Sequence, residues 1–177
     1  ILEEDIKNIA DSKLVNWEEF NNKSILITGA TGLICSIMIK AFCKKKLNLK
    51  MYLLVRNKEN AKQMYGENEN IEYIESSIEN FNVEDIKVDY IIHAASPTKS
   101  KFFVEKPVET LNTAVLGTKN ILEFAKNIGI KSMVYLSSME MYGTMNDENV
   151  TEEKLGYINT LNVRSSYSEG KRVCELY

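Results

Sequence analysis

Ser24-Ile25-Leu26-Ile27-Thr28-Gly29-Ala30-Thr31-Gly32 is an apolar, β-branched run that ends in a turn holding two glycines. A short apolar run bounded by a turn predicts a buried strand. The apolar residues that follow, to about Lys45, predict a helix. A glycine turn between a strand and a helix lets backbone approach a phosphate, and the helix N-terminus adds N–H donors and the positive end of a dipole. The stretch therefore reads as the first unit of a dinucleotide-binding domain, with Gly29, Thr31, Gly32, Leu33 and Ile34 against the cofactor. Cys35 stands where a third glycine is expected for close helix–strand packing. Cysteine is small enough for the fold, and the departure bears on affinity for the dinucleotide.

Outward from this unit, strands and helices alternate. Met51–Val55, Ile71–Ile74, Val88–His93 and Ser132–Ser137 read as further strands. Helices are expected near 58–65, over about 107–128, and from near Ser166. Pro107 suits a first helical turn and Gly129 the residue after a last one. A polar loop fills roughly 143–164. Continuous apolar strands imply burial on both faces, hence a parallel sheet. The fold class is α/β, a Rossmann-type doubly wound sheet over residues 23–177. Residues 1–22 form a helical extension, with Leu14, Trp17 and Phe20 at helical spacing and expected to pack on the domain.

The chain has 177 residues, 44% hydrophobic and 27% charged, with a net charge of −3. That balance gives no electrostatic reason to expect nucleic acid or an anionic membrane as partner. No apolar run approaches the roughly 18–20 residues of a membrane helix, and the acidic N-terminus is not signal-like. Three scattered cysteines form neither a disulfide framework nor a zinc spacing, and a single histidine, His93, argues against a metal site. The expected compartment is the cytoplasm.

The second strand ends at Val55-Arg56-Asn57. An NAD site usually has an acidic residue here for the ribose 2′-hydroxyl, whereas Arg56 can accommodate a 2′-phosphate or stack on adenine. The cofactor is therefore NAD or NADP, with Arg56 and Asn57 beside the ribose. Ser77 and Ile78, after the third strand, are expected near the adenine, although Ile78 also reads as core.

Five segments occur in order: Thr28-Gly29-Ala30-Thr31-Gly32, His93-Ala94-Ala95-Ser96-Pro97, Gly117-Thr118-Lys119-Asn120, Ser137 to Gly143, and Tyr167-x-x-x-Lys171. From about residue 23 onward the chain resembles the extended short-chain dehydrogenase/reductases, the NAD-dependent sugar epimerase/dehydratase family. Within that family it most resembles UDP-glucuronate decarboxylases. Ser138-x-Glu140-x-Tyr142-Gly143 is similar to their Thr-Ser-Glu-Val-Tyr-Gly. Gly156-Tyr157-Ile158-Asn159, Arg164 and Tyr167-Ser168-Glu169-Gly170-Lys171-Arg172 are similar to the run that carries their tyrosine and lysine. Three positions depart: Arg56 replaces an Asp, Ala114 an Asn, and Met139 a Ser. Members of this family continue beyond the point matching Tyr177 with a sugar-binding segment, so apolar surface is expected where later strands pack.

The resemblance implies that Ala94, Ala95 and Ser96 line the cofactor and that Lys171 holds its ribose. Tyr167 and Lys171, four apart on a helix, share a face. A tyrosine is a poor base at neutral pH unless a cation favours its phenolate. Tyr167 is thus expected to take the proton from a sugar hydroxyl as hydride leaves, with Ser138 bonding the same oxygen. Glu140 is a candidate acid or base for the following step, or else an exposed loop acid. Asn159 and Arg164 line the sugar or cap the loop, and His93 is structural or a cofactor contact. The glycine at position 170, inside a helix, suggests close approach by cofactor or another helix.

The implied activity is nucleotide-sugar modification through transient oxidation at C4, decarboxylation first, with 4-epimerisation or 4,6-dehydration as alternatives. An NADP-dependent reductase rests on Arg56 alone. The competing class is a non-catalytic dinucleotide-binding module. The expected partners are a UDP-sugar and a second copy, through the helices near 107–128 and 166–177.

Overall fold

The computed structural model describes residues 2–83, 85–146 and 149–177. Five strands, β1 (Lys23–Thr28), β2 (Leu49–Val55), β3 (Ile71–Glu75), β4 (Tyr90–His93) and β5 (Ser132–Tyr135), form one sheet in the order β3-β2-β1-β4-β5. Every pairing is parallel. The order reverses between β1 and β4, which opens a crevice at their carboxyl ends.

Period-two alternation sorts the strand residues onto two faces. Ile25 and Ile27 of β1 join Leu49, Met51, Leu53 and Val55 of β2 on one face, whereas Leu26 and Leu54 face the other. The first face is covered by α2 (Leu33–Lys45), through Cys35, Ile39 and Phe42, and by Ala61 of α3 (Lys58–Tyr65). The second is covered by Ile121, Phe124 and Ala125 of α5 (Pro107–Ile128). Each fully buried aliphatic side chain contributes roughly 1.5–3 kcal/mol relative to exposure, so the two apolar layers hold the sheet between its helices.

Helix ends follow their capping residues. Asn57 caps α3 by accepting the Asn60 amide, and α5 opens with Pro107 and stops at Gly129 in the left-handed region. At the N-terminus, α1 (Leu2–Ala10) packs Ile6 and Ala10 on Ala41 of α2. Trp17 and Phe20 stack edge-on against Phe42. Leu14 does not pack as its spacing suggested: it is 97% exposed. It lies between α1 and the 3-10 turn Trp17–Phe20, so no continuous helix carries it to the face of the two aromatics.

Three further departures concern connections and ends. A 3-10 turn, Ile78–Asn80, is the only helical piece among the described residues between β3 and β4, so the alternation of strands with helices lapses there. Phe81, Ile86 and Val88 anchor this segment by burial instead. A short helix, α4 (Ser100–Glu105), precedes α5. β5 leaves the ladder at Tyr135, so Leu136 to Ser138 run on into the loop above the sheet.

Candidate active site

The turn after β1 is shaped by Gly29. Its φ is +67°, and a Cβ there would lie 2.8 Å from the Ala94 carbonyl carbon and oxygen. Only glycine allows β1 and β4 to release their chains this close together. The Tyr65 hydroxyl donates to the Ala30 carbonyl, which ties α3 to the same turn.

Below the turn, Thr28 Oγ1 accepts the amides of Ala94 and Ala95 at 3.1 and 3.0 Å. It also meets His93 Nδ1 at 2.8 Å, and His93 Nε2 meets Thr118 Oγ1 of α5 at 3.0 Å. His93 is wholly buried. Burial, aided by the nearby Lys171 charge, pulls its pKa down to about 4, so the ring is neutral and structural.

A cavity of about 460 Å³ opens above this frame, lined by Gly29, Ala30, Thr31, Gly32, Arg56, Ser76, Ile78, Ala94, Ala95 and Ser96, among others. Two observations fit it to a nicotinamide dinucleotide. The Gly29 turn leaves backbone room that a Cβ would fill. Ser96 Oγ is buried with no hydrogen-bond partner among the described residues, a state that is costly unless a ligand completes it. Leu33 and Ile34 are 76% and 66% exposed at the start of α2 and do not line the cavity. Any contact from them comes from first-turn amides, which have no intrahelical acceptor. Asn57 is used as a helix cap, and Ser76 lines the cavity where Ser77 was expected. Ile78 is at once core and cavity wall.

Thr98 belongs both to this cavity and to a neighbouring one of about 430 Å³. The second is lined by Ser100, Phe103, Ser138, Met139, Glu140, Gly143 and Tyr167. Ser138 opens the 3-10 turn Met139–Tyr142 and its oxygen accepts the Glu140 amide at 3.2 Å. Tyr167 comes from α6 (Ser165–Leu176) and stacks on Phe103, with centroids 4.2 Å apart and planes 5° from parallel. Phe103 has no catalytic signature, and the sequence offered no signal for it beyond its place in the apolar run Phe102-Phe103-Val104.

One turn along α6, Lys171 is 3% exposed. Its Nζ donates to the Leu136 carbonyl at 2.7 Å and lies 4.7 Å from the centroid of the Tyr135 ring and 5.9 Å from that of Tyr167. Burial holds its pKa below the ordinary lysine value. α6 is seated on α5 through the glycine at 170, where a Cβ would lie 3.1 Å from Ala114 Cβ. The close approach expected there is thus made by a helix.

Ser138, Glu140, Tyr167 and Lys171 are therefore gathered at the carboxyl edge of the sheet. Arg164 joins them by pairing with Glu140 at 2.8 Å. Asn159 does not: it is exposed and accepts the Leu161 amide within its own loop.

The family described as NAD dependent epimerase/dehydratase matches residues 25–177. The chain belongs to that family. Two similar relatives are UDP-glucuronic acid decarboxylase 6 of Arabidopsis thaliana, 35% identical over 159 residues, and UDP-glucuronic acid decarboxylase 1 of Xenopus tropicalis, 33% identical over 161. These alignments cover 88% and 89% of this chain but 45% and 37% of the relatives, so the chain spans less than half the length of the curated proteins it matches. In fold it is similar to a UDP-N-acetylglucosamine 4-epimerase from Methanobrevibacter ruminantium M1, solved with UDP-N-acetylmuramic acid. That likeness has a TM-score of 0.76 at 22% identity and covers 89% of this chain and 49% of the epimerase. Among the described residues no helix is long and apolar enough to cross a membrane.

Proposed function

We propose that this family member carries the dinucleotide-binding and catalytic half of a nucleotide-sugar decarboxylase acting on UDP-glucuronate. The observation that carries the reading is the meeting of two cavities at Thr98, one suited to a dinucleotide and one holding Ser138 and Tyr167. The 33–35% identity to UDP-glucuronic acid decarboxylases supports the choice of sugar.

A bound NAD or NADP would supply the hydride acceptor and later return the hydride. Gly29, Thr31, Gly32, Ala94, Ala95 and Ser96 would hold it, with Arg56 at the ribose end. Arg56 is exposed beside the cavity and suits a 2′-phosphate, so NADP is included. Tyr167 would accept the proton of the sugar 4-hydroxyl and Ser138 would hold that oxygen. The buried Lys171 ammonium would favour the phenolate form of Tyr167 that can accept that proton. Oxidation at C4 places a carbonyl β to the C5 carboxylate, from which carbon dioxide leaves readily.

Two statements about setting rest on this reading. Three free cysteines and the absence of disulfides among the described residues suit a cytoplasmic enzyme. Val108, Leu111 and Leu116 of α5 are exposed and suit packing against a second copy.

The test is to incubate the intact protein with UDP-glucuronate, UDP-glucose and UDP-N-acetylglucosamine, each with NAD or NADP, and weigh the products. Loss of carbon dioxide from the glucuronate alone supports the decarboxylase. Loss of water, or an isobaric sugar, moves the assignment to a dehydratase or an epimerase. No product from any sugar favours a binding module.

A further inference from the structure

Glu140 faces the cavity, yet its carboxylate is already engaged. Arg164 donates to both oxygens, Nη1 to Oε2 and Nη2 to Oε1, each at 2.8 Å. Ser168 Oγ donates to Oε2 at 3.0 Å. Three of about four acceptor directions on the carboxylate are thus occupied, two of them by a planar fork that holds its partner in one orientation.

The partners extend this contact in both directions. The amide of Glu140 donates to Ser138 Oγ at 3.2 Å. Arg164 lies 5.6 Å from the centroid of the Phe103 ring and reaches Ser100 Oγ at 3.3 Å, and Phe103 is stacked on Tyr167. From the other end of the 3-10 turn, the Met141 carbonyl accepts two bonds from Arg172 of α6, at 2.9 and 2.7 Å. The segment that carries Ser138 and the helix that carries Tyr167 are therefore joined at Glu140 and Met141 as well as by the Lys171 bond to the Leu136 carbonyl.

We infer that Glu140, gripped by Arg164 and Ser168, is a positioning residue that sets Ser138 against Tyr167, and that it does not carry the proton in the step after oxidation. The inference rests on the proposed function for its kinetic test only. A proton carrier works best with a pKa near the working pH. The Arg164 fork, seconded by Ser168, holds this carboxyl below the usual range.

The test uses the intact protein with Glu140→Gln, Arg164→Met, Arg164→Lys and the Glu140→Gln/Arg164→Met double variant. Hydride transfer from UDP-glucuronate is followed by nicotinamide absorbance across pH. A clamp predicts that each of the first two variants slows transfer by roughly tenfold, and that the double variant is no slower than the worse single. Arg164→Lys should recover part of the rate, and Glu140→Gln should keep the acid limb of the profile. A loss of about a thousandfold in Glu140→Gln with Arg164→Met near the unaltered rate, or an acid limb that disappears in Glu140→Gln, overturns the inference. Carboxyl NMR on the substrate-free protein supplies a second reading that needs no turnover. A Glu140 carboxyl below the usual range, moving up in Arg164→Met, supports the clamp; an ordinary carboxyl in the unaltered protein sinks it, whatever the substrate.

Discussion

Thr28 Oγ1 and His93 Nδ1 lie 2.8 Å apart, both buried, at paired positions where β1 and β4 end together. The Thr28 oxygen already accepts the Ala94 and Ala95 amides. Its proton must therefore point to His93 Nδ1, which puts the ring hydrogen on Nε2, facing Thr118. One neutral histidine thus joins two strands and α5 directly beneath the cofactor cavity.

This arrangement predicts a specific acid sensitivity. The folded pKa of about 4 lies below the unfolded value, near 6.5, so the unfolded chain binds the proton more readily. Stability contributed by the neutral ring is complete above pH 6.5 and is lost as pH falls toward 4, by on the order of 3 kcal/mol. His93→Phe should cost roughly 2–4 kcal/mol at neutral pH, because two buried hydroxyls lose their partner. It should also flatten the decline between pH 6.5 and 4. Urea unfolding across that range reads both effects; an unchanged slope in the variant would assign the acid sensitivity elsewhere.

Gly29→Ala should separate binding from folding. The new methyl would meet the Ala94 carbonyl at 2.8 Å in a left-handed backbone, a conformation that itself costs an L-residue about 1–2 kcal/mol. Reduced nicotinamide dinucleotide should bind at least about tenfold more weakly, while far-ultraviolet circular dichroism stays that of the parent. Unaltered affinity by fluorescence titration would show that the cofactor does not use this turn.

Gly170→Val should lower stability through helix packing. The added side chain has only 3.1 Å to Ala114 Cβ, with Leu111 beside it. α6 must move away from α5, and Tyr167 and Lys171 move with it. A destabilisation of about 1–3 kcal/mol is expected from such overpacking. Shortening the opposing residue, Ala114→Gly, should restore part of it. The melting temperatures of the two single variants and the double variant decide the point.

The first βα unit was legible because its signals are local: Ile25 and Ile27 alternate with Leu26 across the sheet, and a glycine turn follows at once. The ends of α5 were legible for the same reason, in Pro107 and Gly129. The pairs that organise the site were not. Glu140 and Arg164 are 24 residues apart, and Thr28 and His93 are 65 apart; no spacing rule links them, because the sheet order joins the second pair and the packing of α6 on the 3-10 turn joins the first. Asn57 illustrates a different ambiguity. A polar residue at a helix start suits both a ribose contact and an N-cap, and here its oxygen is spent on the Asn60 amide. Leu14 failed because a three-residue spacing means a shared face only while the helix continues.

Cys35 tests the departure from the glycine pattern. It lies in the first turn of α2, packed toward the sheet at 2% exposure, and burial pushes its thiol up to about 11. Only the thiolate is nucleophilic, so native protein at pH 8 should leave Cys35 unlabelled by iodoacetamide over a period that fully labels the urea-unfolded chain. Peptide mass spectrometry distinguishes the three cysteines. Rapid native labelling at Cys35 would mean that the start of α2 opens, and with it the phosphate turn.

Arg56 decides the choice of dinucleotide under the proposed function. It is exposed at the end of β2, on the wall of the larger cavity. The neighbouring start of α3 already holds an anion, since the Glu75 carboxylate accepts the Lys58 amide at 2.9 Å, and Asn57 takes the Asn60 amide at 2.7 Å. A 2′-phosphate would therefore rely on the Arg56 side chain with little help from the helix, against the repulsion of a carboxylate on the adjacent strand. Arg56→Ala should lower affinity for NADPH by roughly tenfold, the equivalent of one exposed charge-assisted contact, and leave NADH binding within about twofold. The loss should shrink at high salt, as expected for a screened surface charge. Equal losses for both dinucleotides in calorimetric titrations would make Arg56 an adenine-stacking residue and leave selection to the Glu75 side of the cavity, which Glu75→Gln would then expose as a gain in NADPH affinity.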